Sequence, residues 1–318
     1  MTQQMVPAAT RGNVIPHDVL PSYLDACLAT VELPDVRGTK IVIDYGNGMG
    51  ATSMQPLCAR LGLEVVELYA EPDARFPNHE ANPAKEHTLA DVKAAVVREG
   101  AAFGVALDGD ADRIAFIDNE GASLRGDQTL ALLAQAALKD HPGAKIIVAP
   151  NQSWTSPDAI RAAGGEPVEV AVGRSRVIKA MHNMCAVLGG ELSSHFMFRE
   201  FNNLEAVDFA FVRMLAIWKA SGVAFADMAR PLRTFANSGE VNLEVRDKAA
   251  ALARVEERYA KDATAVNRLD GVRCEFGRDW WFLVRASNTE PILRLTVEAT
   301  TPEAMEARRD ELAAVIQE

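Results

Sequence analysis

The segment Asp108-Gly109-Asp110-Ala111-Asp112-Arg113 sets three carboxylates at alternate positions directly after an apolar run, Phe103–Leu107. Carboxylates this close repel one another and call for a cation. A compact set of hard oxygens suits Mg2+, which keeps coordination positions open for water or phosphate. An EF-hand is excluded, because that loop needs Gly where Arg113 stands and Glu where Asn119 stands. A solvated acidic turn is the plain alternative.

A second segment, Arg285-Ala286-Ser287-Asn288-Thr289-Glu290-Pro291, follows a run rich in aromatics. An arginine, two hydroxyls, an amide and exposed backbone N–H groups in one tight turn make an anion cradle. A capped turn without a ligand has the same composition. A third segment, Gly189-Gly190-Glu191-Leu192-Ser193-Ser194-His195, lets the backbone bend at its glycines and offers Glu191 and Ser193 to sugar hydroxyls. His195 heads an apolar run and reads equally as a core histidine. A fourth, Gly46, Gly48 and Ala51 after Lys40–Tyr45 with Glu67 further on, fits a dinucleotide fingerprint and also a plain strand-to-helix turn.

The elements that must position these residues alternate. Strands are expected at 40–45, 64–69, 103–107 and 113–118, with helices at 22–30, 53–61 and 89–99, the last ending at Gly100. The pattern repeats with helices at 128–138, 156–163, 177–184 and 207–220 and strands at 145–149 and 167–172. From about Arg233 the character changes. Strands at 239–245, 279–285 and 292–299 mix with helices at 249–262 and 302–316. The fold class predicted is α/β: two similar three-layer α/β domains followed by a smaller α+β C-terminal domain.

Composition sets the outer limits. The 318 residues suffice for two or three domains of roughly 100–200 residues each. Lys and Arg number 33 against 44 Asp and Glu, a net charge of −11, which argues against nucleic-acid or membrane-surface partners. No apolar run approaches the ~20 residues that span a bilayer, and the N-terminus lacks a signal-peptide core. Cys27, Cys58, Cys185 and Cys274 are far apart with no CxxC pair, which suits a reducing, cytoplasmic compartment.

Taken together, the motifs resemble the α-D-phosphohexomutase family, the phosphomannomutases and phosphoglucomutases. IVIDYGNGMG, FPNHEANP and ALDGDADR resemble the family's second domain, VGRSRVIKAM and GGELSSHFMFRE its third, and VRASNTEPILRLTVEA its fourth. The resemblance implies an N-terminal arm at 1–20, a metal-binding domain at 21–124, a sugar-binding domain at 125–234 and a phosphate-binding domain at 235–318, around one polar cleft. Asp108, Asp110 and Asp112 would hold Mg2+, with Arg113 beside them. Glu191, Ser193 and His195 would meet the sugar, and Arg285, Ser287, Asn288 and Thr289 the non-reacting phosphate. Lys179 would be a further cleft cation, or else a solvated helix lysine.

The departures matter as much. The family's first domain carries a phosphoserine in a Ser-His-Asn-Pro context, and no Ser in this sequence has it. Ser194 stands where Gly is usual, Arg174 where His is frequent, and a paired acidic motif is reduced to Asp208. The expectation is a phosphohexomutase-family protein that binds Mg2+ and a hexose phosphate or hexose 1,6-bisphosphate and is weak or inactive alone. A separate chain would supply the missing domain, or the exposed face would self-associate. The alternatives are a non-catalytic phosphosugar-binding regulator or partner of a complete mutase, Mg2+-assisted transfer or hydrolysis with water in place of the serine, and, outside the family, a NAD-binding oxidoreductase.

Overall fold

The computed structural model describes residues 12–287 and 290–318. Its first sheet holds β1 (Lys40–Asp44), β2 (Glu64–Leu68), β3 (Phe103–Leu107), β4 (Ile114–Asp118) and β5 (Ser123–Leu124) in the order β2-β1-β3-β4-β5. β1 runs parallel to β2 and β3, and β3 and β4 form an antiparallel hairpin. Helices α1 (Leu20–Ala29), α2 (Ala51–Leu61) and α3 (Ala90–Glu99) cover it. Ile41, Ile43, Val105 and Phe116 pack on the side of α1 and α2, while Val42 and Ile117 pack on Val92 and Val96 of α3. The central strands are therefore apolar on both faces, as a sheet between two helical layers must be. Gly100 closes α3 in the left-handed region, φ 59°, which favours glycine.

The second sheet repeats this plan. Helices α4 (Gly126–Asp140), α5 (Thr155–Ala162), α6 (Arg174–Met184), α7 (Val207–Ser221) and α8 (Phe225–Ala229) accompany β6 (Lys145–Val148), β7 (Glu166–Glu169), β8 (Leu188–Gly190), β9 (Phe196–Phe198) and β10 (Leu204–Glu205). The order, β7-β6-β8-β9-β10 read from the β7 edge, reproduces that of the first sheet. α7 is buried along most of its length and joins both units into one core. Phe103 of β3 meets Phe225 at 5.0 Å, and Phe116 stacks on it at an interplanar angle of 17°. Each such side chain contributes roughly 1.5–3 kcal/mol by leaving water. Among the described residues no single helix is long and apolar enough to cross a membrane.

The third unit is an antiparallel sheet of β11 (Ala236–Asn237), β12 (Val241–Glu244), β13 (Ala265–Asn267), β14 (Val272–Phe276), β15 (Trp280–Ala286) and β16 (Ile292–Ala299), packed on α9 (Lys248–Tyr259) and α10 (Pro302–Gln317). Asp247 caps α9 by accepting from the N–H groups of Ala249 and Ala250. Its core is separate from that of the first two units. The seam to the second unit is polar and aromatic. Glu298, fully buried, accepts from Trp154 N at 3.1 Å and Trp281 Nε1 at 2.9 Å, while the Arg273 guanidinium lies 3.9 Å from the Trp281 ring and donates to the Pro150 carbonyl.

The predicted class therefore holds: two α/β/α units of one topology and a smaller α+β unit. Sequence reading missed β5, β8, β9, β10, β11, β13 and β14. β14 carries Arg273 and Glu275, whose charges mask its strand pattern but are paired with each other at 2.8 Å. The Gly189–Gly190 pair lies in β8 instead of at a bend. Its need for glycine is room, since a Cβ at Gly189 would sit 2.6 Å from Val177 and one at Gly190 2.8 Å from Leu130.

Candidate functional site

The acidic segment is the turn of the β3–β4 hairpin. Asp108 is fully buried. Its Oδ1 accepts the N–H groups of Asp112 and Arg113, both at 3.0 Å, and its Oδ2 accepts Arg113 Nε at 2.6 Å. Asp110 is exposed and Asp112 half-buried, and one oxygen from each of the three carboxylates lies within 4.8 Å of the others. Burial raises the Asp112 pKa, and the Asp108 and Asp110 carboxylates add to this against the pull of His195. Such a donor set fits a hard divalent cation: the oxygens converge, and their mutual repulsion is not fully offset by protein groups.

The glycine turn after β1 is explained by this loop. A Cβ at Gly48 would stand 2.7 Å from the Gly109 carbonyl oxygen and 2.8 Å from that of Asp108, and Met49 N donates to Gly109 O at 2.9 Å. The turn is pressed against the acidic hairpin and leaves no cradle for a pyrophosphate there. Glu67, the would-be ribose acid, accepts instead from Tyr45 Oη and Gln55 Nε2. The segment Phe76–Pro83 packs over the same turn. His79 Nε2 lies 3.0 Å from Asp44 Oδ2, Asn78 donates to Asn47 Oδ1 at 2.7 Å, and Asn82 Oδ1 accepts from Arg113 Nη1 at 2.9 Å.

The loop from β8 to β9 meets the hairpin directly. Ile114 N donates to Ser194 O at 3.2 Å, and Arg113 and His195 form an isolated antiparallel bridge. The sharp bend falls at Ser194, φ 73°. His195 is not a core residue. Its Nε2 lies 3.3 Å from Asp112 Oδ1, and its Nδ1 lies 2.9 Å from Ser193 Oγ and 3.3 Å from Glu191 Oε2. Burial disfavours the imidazolium, but Glu191 and Asp112 outweigh it and raise the pKa. Glu191 Oε1 also accepts Gly173 N at 3.0 Å.

Asp208, the residue left of the paired acidic motif, lies away from this loop. Asp208 is buried between α1 and α7 and accepts from Tyr23 Oη at 3.0 Å. The acid near the site is Glu205, ion-paired with Arg174 and within 4.8 Å of Asp112 and His195. Lys179 is exposed on α6 and outside the lining of the cleft.

Arg285, buried at the end of β15, donates to Glu240 Oε1 through Nε at 3.1 Å and Nη2 at 2.5 Å. Arg294 Nη1 donates to Glu240 Oε2 at 3.2 Å. Ser287 is buried, and its carbonyl accepts from Lys248 Nζ at 3.0 Å. Asn288 and Thr289 lie outside the described residues.

Arg113, Glu191, Ser193 and Arg285 line one cavity of about 680 Å³, together with Arg125 and Arg294. Arg125 was not singled out in the sequence. Its Nε donates to buried Asp127 at 3.1 Å, and its Nη2 lies 3.9 Å from Glu298 Oε2 at the seam. Four arginines and Lys85 thus face one hollow against three carboxylates, Glu86, Glu191 and Glu240. The arrangement suits a polar, anionic, small ligand.

This is an α/β protein with an arginine-lined cleft beside an acidic hairpin, and sequence comparison assigns its class. Residues 21–121 match phosphoglucomutase/phosphomannomutase, alpha/beta/alpha domain II, residues 125–235 match domain III, and residues 240–315 match the C-terminal domain. A phosphomannomutase of Salmonella montevideo is 35% identical over 311 residues, covering 96% of this chain and 68% of the relative. A phosphoglucomutase of Neisseria gonorrhoeae is 35% identical over 317 residues, covering 98% and 68%. A phosphoglucomutase/phosphomannomutase family protein from Burkholderia thailandensis superposes with a TM-score of 0.85 at 30% identity, covering 94% of this chain and 64% of that one. The chain belongs to the phosphoglucomutase/phosphomannomutase family and spans about two thirds of the length of these relatives. Membership in this family disfavours the NAD-binding alternative.

Proposed function

We propose that this chain binds a hexose phosphate in the cavity between its three units, with Mg2+ at the acidic hairpin, and serves the intramolecular phosphoryl transfer of a phosphohexomutase. The observation that carries this reading is the shared cavity: Arg113 from the hairpin, Glu191 and Ser193 from the β8–β9 loop and Arg285 from β15 all face it. Asp108, Asp110 and Asp112 would hold the metal, which when bound supplies positive charge against the phosphoryl group in transfer.

The chain's own residues divide the remaining work. Arg285, with Ser287, grips the phosphate that does not react. Glu191 and Ser193 accept from and donate to sugar hydroxyls, with His195 orienting both from Nδ1. Arg113, fixed by Asp108 and Asn82, keeps its charge beside the reacting end. Residues 1–318 offer no serine in a Ser-His-Asn-Pro context. Transfer needs a covalent acceptor, and its loss raises the barrier by on the order of several kcal/mol. We therefore assign the acceptor to a serine outside these residues, supplied by another segment or a separate chain.

Calorimetry with glucose 1-phosphate or mannose 1-phosphate in Mg2+ tests the binding half. Binding that is lost in Arg285→Ala is expected, and no heat at millimolar ligand would refute it. A coupled assay with and without glucose 1,6-bisphosphate tests the other half: fast turnover by the purified chain would show that no outside acceptor is needed.

A further inference from the structure

The strongest cations of the cavity are already occupied by the protein itself. Glu240 takes two nitrogens of Arg285 on one oxygen and a nitrogen of Arg294 on the other, and Asn151 Nδ2 lies 3.4 Å from the first oxygen. A planar carboxylate bridging two guanidinium forks is the arrangement a phosphate monoester would make with the same nitrogens. Resting on the phosphate reading above, we propose that Glu240 is an internal competitor: its carboxylate fills the anion seat, and a phosphate enters by displacing it from Arg285 and Arg294.

Local structure supports a side chain that can leave. Glu240 lies in the short connection between β11 and β12, after Gly239 at φ 66°. Its side chain keeps 25% exposure, whereas that of Arg285 keeps only 9%. Arg285 is held by its strand at the base of the cavity, and the carboxylate has a path to solvent. Charge gives the reason it matters. Two guanidiniums face two carboxylates at the seat, because Arg294 Nη2 also donates to the more exposed Glu290 at 3.5 Å. With Glu240 swung away, the arriving phosphate meets both guanidiniums and one carboxylate. A resident carboxylate also keeps Arg285 from standing buried and unpaired when no ligand is present, which would be costly. The seat is therefore satisfied when empty and selects ligands that carry more charge than a carboxylate.

The test uses inorganic phosphate as the probe, titrated by calorimetry at low ionic strength into the full chain and into Glu240→Gln. The amide keeps the shape and removes the charge, and a thermal melt checks the fold of each variant. The competitor role predicts that Glu240→Gln binds phosphate about tenfold tighter or more, with Glu240→Ala at least as tight as the unsubstituted chain. Equal or weaker binding by both variants, with phosphate binding intact in the unsubstituted chain, would overturn the proposal and make Glu240 a support for Arg285. Phosphate binding by none of the three proteins would overturn the phosphate reading itself, and this proposal with it.

Discussion

Arg113 Nε donates to the buried carboxylate of Asp108 at 2.6 Å, and this bond joins the candidate metal group to the wall of the cavity. The same guanidinium reaches Asn82 Oδ1 at 2.9 Å. Asp108 thus has two tasks, facing the other two carboxylates and fixing an arginine that lines the site. Asp108→Asn leaves half-buried Arg113 with only Asp112, 3.9 Å away, as a charge partner. We expect a loss of about 2–3 kcal/mol in urea unfolding. A loss below about 0.5 kcal/mol would show that the pair does not hold the hairpin.

Metal addition should stabilise the fold through the same hairpin. At Mg2+ a hundredfold above its Kd the gain is about 2.7 kcal/mol, visible as a raised melting temperature and reversed by EDTA. Asp110 is exposed and, among the described residues, forms no ion pair. Asp110→Asn should therefore leave the metal-free melting temperature nearly unchanged and remove most of the Mg2+ effect. An undiminished Mg2+ shift in that variant would place the ion elsewhere.

Gly126 opens α4 where the helix abuts the β8–β9 loop. A Cβ there would lie 2.5 Å from the Glu191 carbonyl oxygen and 2.6 Å from that of Leu192. Both neighbours are backbone and have no rotamer by which to yield. Gly126→Ala should cost roughly 1–3 kcal/mol and weaken hexose phosphate binding by shifting Glu191. Unchanged stability and affinity together would refute this account of the contact.

His79 gives the fold a dependence on pH. Burial disfavours its charge, but the Glu80 carbonyl and the Asp44 carboxylate outweigh it and raise its pKa. The folded value exceeds the unfolded one, so this stabilisation is full below about pH 6.5 and is lost as pH rises through the folded value. Asp44 is itself raised, chiefly by burial, and acts with the same sign. His79→Gln should flatten the pH dependence of the urea midpoint between about pH 6 and pH 8. An NMR titration placing the His79 pKa below about 6.5 would contradict the sign.

The thiols should separate cleanly. Burial pushes Cys27 and Cys58 up to about 12 and Cys274 up to about 11, while Cys185 is exposed at the end of α6. At pH 8 a thiol reagent should label one cysteine quickly and all four only after denaturation. Fast labelling of two or more in the folded protein would indicate an opened core.

Much of the candidate site was legible because its side chains are neighbours in the chain. Asp108, Asp110 and Asp112 share one turn, and Arg285 and Ser287 another, so residue type and spacing suffice to name what each can bind. The strand-helix alternation likewise exposed the two α/β units. The short strands β8, β9, β13 and β14 were not legible, because glycines chosen for room and internally paired charges such as Arg273 with Glu275 erase the strand period. Glu205 was not legible for a related reason: Glu205 and Asp208 lie three residues apart in sequence, and only packing decides that Asp208 is buried against Tyr23 while Glu205 approaches His195.

The sequence by itself determined the fold class and the chemistry its loops offer, three carboxylates in one turn and an arginine with hydroxyls in another, since those follow from side chains within a few residues of chain. Tertiary structure alone decided that Asn82 and Asp108 share Arg113, that Arg125 and Arg285 face one cavity, and that Glu240 sits on two arginines. Apart from Asp108 and Arg113, which share one turn, those partners are tens of residues apart, and a hydrogen bond or ion pair reaches only about 3–4 Å. Which groups come that close is fixed by how three sheets pack, and no local pattern encodes it.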